Sequence, residues 1–398
     1  MRYTLLNDFL LKAAFMAMIC DFQILRPQFE STHTATLEWI VKAHTQAEEL
    51  YCLQKNLPFN KSEFLEKLKK ELLSVACKPG VIQKRGHELP DFLHDNWDQM
   101  QVYQLNLYPQ GVGLKVRQEL HGKYTDSAFD KFYSTEAPQP DDLIHVSCTG
   151  YVAPSSAQKL VSKKGWGFTT CVTHAYHMGC YGSIPACRMA EGFLQQKKKR
   201  VDVVHTELCA FHFNPLLHSR EQLVAQSLFA DGYIKYSLTH KKEQHNNSAL
   251  KVLAIYEEII PDSVDAMQWF IADWGFQLVL SKEIPAFIAK NVKSYLLQLC
   301  LRAGCDFQEM LEKALFAIHP GGPKILDYIQ KIFQLSDEQL FYSRQILKHY
   351  GNVSSATLPY MWEAICADPA VAAKTKVVSL AFGPGLTIAG MLGEKEEV

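Results

Sequence analysis

From residue 142 onward the sequence repeats one pattern: a short apolar run, a turn marked by glycine or proline, and a segment with helical spacing. LIHVSC at 143–148 reads as a strand, Thr149-Gly150-Tyr151 as the turn ending it, and SSAQKL at 155–160 as the start of a helix. VDVVHTELCAFHF at 201–213 is the next strand-like run, broken by Asn214-Pro215, and FADG at 229–232 is a tight turn between a helix and a strand. Such alternation lays strands side by side with helices on their faces, so the class is α/β.

The first third is less regular. Residues 14–25 read as a buried strand closed by Arg26-Pro27, and Leu37, Ile40, Val41 and Ala43 give residues 34–54 a helical spacing. Asn60 with Glu63 three residues on marks the N-terminus of a second helix. QKRG at 83–86 is a small basic cluster, most simply a solvated loop. Residues 90–141 read as helices joined by loops. The apolar run at 9–20 is interrupted by Lys12 and is far shorter than the ~20 residues of a membrane span; no A-x-A cleavage site follows it. KKKR at 197–200 suits a helix C-terminus meeting solvent. The polar loop THKKEQHNNS at 239–248 divides the chain into halves, 1–244 and 245–398. After it, residues 250–260 resume strand character and 296–316 read as two helices.

With 398 residues, 47% of them hydrophobic, the chain can bury a core large enough for two domains or two fused halves. Its 41 basic against 42 acidic side chains give no electrostatic reason to expect nucleic acid or an anionic membrane as partner. Eleven cysteines, an odd number without a CxxC pair, point to free thiols in a reducing cytosol rather than a disulfide framework.

Three stretches carry chemistry. In THAYHMGCYGSIPACRMA at 173–190, Cys180 stands between Gly179 and Tyr181, where a strand or loop turns into a buried helix whose N-terminus can favour a thiolate. Two other readings exist: a buried structural thiol, and a metal ligand, since His174, His177 and Cys180 recur every three residues as on one helix face. In LFAIHPGGPKILD at 315–327 a short strand ends at His319 and the Pro-Gly-Gly-Pro turn leads into a helix. In LKHYGNVSSATL at 347–358, Asn352 lies in a turn before a helix capped by Ser354 or Ser355. VVSLAFGPGLTIAG at 377–390 closes the chain with a buried strand, a glycine loop and another apolar run.

HMGCYGS, AIHPGGPKILD, HYGNVSSATL and FGPGLT, in this order, resemble the type III polyketide synthases, the chalcone synthase-like branch of the thiolase-fold condensing enzymes. HVSCTGYVAPSSAQ and GCYGSIPACRMA resemble bacterial members more than plant ones. The resemblance implies a five-layered αβαβα fold of two similar halves and a homodimer. It implies catalysis by Cys180, His319 and Asn352 without metal or cofactor, using acyl-CoA and malonyl-CoA as substrates. Cys180 would take up an acyl group as a thioester, with His319 as its proton partner. His319 and Asn352 would receive the charge of the enolate left when malonyl-CoA loses carbon dioxide, and the Cys180 N–H with the loop Gly383 to Gly385 would receive the second oxyanion. Phe213 is expected between CoA tunnel and elongation cavity, with a second such position within 276–278. Gly321 is expected near substrate, and Lys84 and Arg85 near the CoA phosphates. The departure from the plant pattern points to a fatty or short aliphatic starter and an alkylpyrone, alkylresorcinol or phloroglucinol-type product. A single-condensation enzyme like β-ketoacyl synthase III, or a non-catalytic binding protein keeping the fold, would share much of the pattern. A hydroxymethylglutaryl-CoA synthase would need a carboxylic acid beside the cysteine, which Gly179-Cys180-Tyr181 does not supply.

Overall fold

The computed structural model describes residues 16–134, 137–196, 198–240 and 248–397. Its strands, in chain order, are β1 (Met18–Leu25), β2 (Phe29–Thr32), β3 (Lys84–His87), β4 (Asp142–Ser147), β5 (Cys171–Tyr176), β6 (Arg200–Leu208) and β7 (Asp231–Thr239). They continue as β8 (Ala249–Ile259), β9 (Met267–Ala272), β10 (Gly275–Leu280), β11 (Leu315–Ile318), β12 (Lys376–Gly383) and β13 (Thr387–Glu396). Nine form one hydrogen-bonded sheet in the order β11-β12-β13-β8-β1-β7-β6-β4-β5. β5, β4 and β6 are parallel, and β7 then β1 follow in antiparallel steps. Beyond β1 the scheme recurs in mirror order, with β11 and β12 parallel and β13 and β8 in antiparallel steps. The two runs meet where Met18 and Ile19 pair with Lys251 and Leu250. This repeated scheme is the topology of two similar halves.

Burial divides the molecule into five layers. One apolar cluster lies between the two runs of strands and holds the helices Ser183–Gln195 and Thr357–Ala367, with Trp362 fully buried. A second packs helices such as His33–Lys55 and Leu114–Phe132 on the outer face of β4, β6 and β7. A third packs Ile284–Ala303 and Pro323–Phe333 on the outer face of β11, β12 and β13. Strands covered on both faces need apolar side chains throughout, and β4 and β6 accordingly lose their alternation and read as continuous runs.

Local signals set most helix starts. The Asn60 side chain accepts from Glu63 N at 3.3 Å to begin the helix Lys61–Val75, and Ser155 with Gln158 forms a capping box for Ser156–Lys163. Elsewhere the structure corrects the sequence expectation. Residues 296–316 hold two helices, the end of Ile284–Ala303 and Phe307–Lys313, but the first starts well before Leu296 and β11 begins at Leu315. Lys84 and Arg85 lie in β3, paired with β2, and not in a solvated loop. Arg200 opens β6 and is ion-paired with Asp21 at 2.7 Å and Asp202 at 2.9 Å, while Lys197 lies outside the described residues. Of the apolar run at 9–20 only residues 16–20 are described, and they lead into β1. Most of the boundary loop, 241–247, is likewise outside. Among the described residues no helix is long and apolar enough to cross a membrane.

Candidate active site

Cys180 sits where β5 gives way to the central helix Ser183–Gln195, in a single 3-10 turn, Gly179–Tyr181. The backbone reaches that turn through positive φ at His177 (59°) and Gly179 (76°). A Cβ at Gly179 would stand 2.4 Å from Pro384 Cδ, and one at Gly383 would stand 2.2 Å from Tyr181 Cδ1. The loop at 383–385 therefore presses directly on the turn that carries Cys180. From the other side, Cys148 Sγ accepts from Gly179 N at 3.1 Å and donates to Gly179 O at 3.3 Å, fixing the peptide that precedes Cys180. All eleven cysteines are free.

Asn352 is held by backbone pairing with the turn after the helix Arg220–Leu228: its N–H donates to Leu228 O and its carbonyl accepts from Ala230 N, both at 2.9 Å. Its Oδ1 accepts from Ser354 N at 2.9 Å, and Ser354 Oγ lies 3.9 Å from Cys180 Sγ. The helix it precedes, Thr357–Ala367, has no side-chain cap: Ser354 Oγ faces Cys180, and Ser355 Oγ bonds Glu207 and His205. His319 follows β11, with its N–H bonded to Leu380 O of β12 at 2.8 Å. It is buried, and neither ring nitrogen has a partner among the described residues.

Cys180 opens on a mainly apolar cavity of about 50 Å³. Phe213, Phe229, Trp269, Phe276 and Leu278 form much of its wall. His212 lies flat on Phe276, with ring centres 4.4 Å apart, and bridges two elements: its Nε2–H donates to Thr149 O at 2.8 Å while Nδ1 accepts from Phe276 N at 3.1 Å. These two partners fix the neutral Nε2–H tautomer. Arg117, fully buried, donates to the carbonyls of Val112 (2.8 Å), Phe211 (2.6 Å) and Phe213 (3.0 Å), which sets the place of Phe213. Arg117→Ala strands those carbonyls and is expected to cost about 3 kcal/mol or more in urea unfolding.

Burial works against charge throughout the site. It pushes the Cys180 thiol up to about 12, with the Glu207 carboxyl adding to the rise, and Ser354 opposing it through its hydrogen bond. It pushes His319 down to about 3. The resting site therefore holds a thiol and a neutral imidazole, not the thiolate that the helix N-terminus alone would suggest. Desolvation outweighs the partial charge of one helix end here.

The residues named from sequence are distributed as follows. Cys180 and Phe213 line the cavity, and so do Phe276 and Leu278 from the window 276–278. Pro384 lines it too, between Gly383 and Gly385, which stand behind. Gly321 is exposed, its N–H bonded to His319 O at 3.0 Å. Lys84 is ion-paired with Glu30 at 2.7 Å. Arg85 is buried and donates to the carbonyls of Gln226 at 2.7 Å and Phe229 at 3.0 Å, so it braces the cavity wall and offers nothing to a phosphate at the surface. The metal reading fails on geometry: His174 is on β5 and bonds Ser155 Oγ at 2.8 Å, His177 is in the turn, and no group of three potential ligands gathers among the described residues. Sequence reasoning missed Phe229, His212, Cys148 and Ser354. Phe229 was legible only as part of a turn and Ser354 only as a helix cap, and nothing in the letters of His212 and Cys148 separates them from core residues.

Residues 251–395 match the family profile of the chalcone and stilbene synthases, C-terminal domain, a span that includes His319 and Asn352. A putative chalcone synthase of Bacillus subtilis (strain 168) is 30% identical over 224 residues, 55% of this chain and 60% of that protein. Type III polyketide synthase C of Arabidopsis thaliana is 27% identical over 255 residues, 63% of this chain and 66% of that protein. The matched region thus spans less than two thirds of these curated relatives. Whole-fold similarity extends further: PKS-I from the brown alga Ectocarpus siliculosus superposes with a TM-score of 0.79 at 19% identity, covering 96% of this chain and 98% of that one. The 1,3,6,8-tetrahydroxynaphthalene synthase of Streptomyces coelicolor A3(2), a bacterial type III polyketide synthase, superposes with a TM-score of 0.77 at 21% identity, covering 96% and 100%. In fold over nearly its whole length, and in sequence over residues 251–395, the chain is similar to the chalcone synthase-like type III polyketide synthases.

Proposed function

We propose that the chain catalyses decarboxylative carbon–carbon bond formation on CoA thioesters, with Cys180 as acyl acceptor and His319 and Asn352 as its polar partners. One observation carries this reading: a fully buried His319 with both ring nitrogens unpaired, in a molecule whose Cys180 sulfur opens on an apolar cavity. Buried polar groups are nearly always bonded, so a pair left open is an unfilled valence waiting for a ligand. In the proposed cycle the Cys180 proton passes to His319, the thiolate attacks an acyl-CoA carbonyl, and CoA leaves as a thiol. Neutral partners become a charged pair only when substrate has excluded water, where that attraction is strongest. Malonyl-CoA then loses carbon dioxide, and N–H donors of His319 and Asn352 stabilise the enolate oxygen that results. The enolate carbon attacks the acyl carbonyl and the Cys180 C–S bond breaks. No redox step or metal is required by this balance.

The cavity favours the short end of the aliphatic starters and a pyrone or phloroglucinol-type product from few extensions. We assign a homodimer on the likeness to the family. The test is mass spectrometry of products from a panel of acyl-CoAs with malonyl-CoA. Short aliphatic starters are expected to give products lengthened by two or more malonyl units. A single added unit would assign the chain to single-condensation chemistry, and no product from any starter would leave a binding role.

A further inference from the structure

Behind Cys180 a row of buried side chains runs from the cavity into the core. Glu207, at the end of β6, is fully buried. Its Oε2 accepts from Cys148 N at 2.9 Å and Thr149 Oγ1 at 3.2 Å, and its Oε1 meets Ser355 Oγ. Ser355 Oγ lies 2.9 Å from His205 Nδ1, His205 Nε2 lies 3.1 Å from Tyr236 OH, and Tyr236 OH lies 3.8 Å from Cys187 Sγ. No lysine or arginine is among these partners.

Such a row has two self-consistent proton arrangements. With Glu207 ionised, Ser355 donates to it, His205 donates from Nδ1 to Ser355, and Tyr236 donates to His205 Nε2. With Glu207 protonated, every donor reverses: Glu207 gives to Ser355, Ser355 to His205 Nδ1, and His205 Nε2–H to Tyr236. Burial pushes His205 down to about 3, so it stays neutral in both and only its tautomer changes.

The surroundings single Glu207 out. Facing it and Cys180 are Cys148 after β4, Cys209 after β6, Asp231 and Tyr236 on β7, Tyr181 beside the nucleophile, His212 in the cavity wall, and His319 after β11. Burial keeps the thiols and phenols protonated and the imidazoles neutral, and lifts Asp231 to about 8. Glu207, lifted by burial to about 7 against the hydrogen bonds from Ser355, Cys148 and Thr149, changes charge around neutrality as Asp231 does, and is the one of these two carboxyls that bonds the row at Ser355. Its negative charge disfavours the thiolates of Cys180, Cys148 and Cys209.

We propose that the charge of Glu207 governs how readily Cys180 becomes a thiolate, and that His205, acting through Ser355, is a positioning residue that holds that carboxylate. The proposal rests on Cys180 being the reactive sulfur, and its test reads the sulfur and the imidazole directly, so it stands apart from turnover. Iodoacetamide alkylation of Cys180, mapped by peptide mass, is followed against pH. Glu207→Gln removes a like charge and is expected to move the alkylation midpoint down by about 1 pH unit. His205→Phe removes the donor to Ser355 and lets Glu207 keep its proton to higher pH, so alkylation quickens between about pH 7 and 8, while the midpoint, which lies where Glu207 is ionised in both proteins, stays. In the Glu207→Gln background it adds nothing. Nitrogen-15 NMR of the unsubstituted protein is a second measurement, free of any folding defect: between about pH 6 and 8 the His205 signal passes from the Nε2–H to the Nδ1–H tautomer without becoming imidazolium. A tautomer constant over that range, or a His205 effect that persists without the Glu207 carboxylate, overturns the proposal.

Discussion

Cys180→Ala is expected to abolish condensation, lowering product formation by at least ~10³-fold, while the folded protein still releases carbon dioxide from malonyl-CoA. The two halves of the reaction separate because they use different atoms. Acyl capture needs the sulfur, which the substitution removes. Decarboxylation needs donors to the thioester oxygen, and those are assigned to His319 and Asn352, which come from other elements and do not depend on the Cys180 side chain for position. His319 is held by its N–H bond to Leu380 O, and Asn352 by its pairing with Leu228 and Ala230. Radiolabelled malonyl-CoA with separate counting of carbon dioxide and product distinguishes the steps. Loss of both in a protein that unfolds like the wild type would show that the sulfur takes part in decarboxylation as well.

The second large effect is structural. Gly179→Ala must adopt φ near +76° and place a methyl 2.4 Å from Pro384 Cδ. A left-handed conformation and overpacking against a proline ring together are expected to cost roughly 2–5 kcal/mol. The strain falls on the turn that presents Cys180, so alkylation and acylation of that residue should change along with the urea midpoint. Gly192→Ala is the control, thirteen residues on in the helix that follows the turn: its added methyl meets nothing within 4 Å, and in a helix interior it should stabilise by about 0.5–1 kcal/mol. Equal effects from the two substitutions would mean that the contact with Pro384 does not constrain the turn.

Strand and helix boundaries were legible wherever a local rule set them. Asn60 and Glu63 announce a helix start, Pro-Gly-Gly-Pro after Ile318 announces the turn behind His319, and the run before Asn214-Pro215 reads as β6. What escaped was set by distant partners. Arg85 belongs to a charged stretch of letters, yet it is buried because the carbonyls of Gln226 and Phe229 take its guanidinium. β11 is only four residues long and owes its strand conformation to β12, some sixty residues later, so no local pattern marks it off from the helices before it. Cys180 was visible as a cysteine between a glycine and an aromatic, but its resting protonation was not, since it depends on burial and on Glu207. Glu207, Ser354 and Cys148 likewise acquire meaning only once β4, β6 and the turn after Asn352 converge on one sulfur.

That convergence is tested most directly by peptide-resolved mass spectrometry of the protein quenched after exposure to a short acyl-CoA alone. The account predicts one acyl group, labile to hydroxylamine, on the peptide that carries Cys180, and none on the Cys180→Ala protein. An acyl group on Cys148 or Cys209 instead, or product formation with no thioester on Cys180 at any time point, would contradict it.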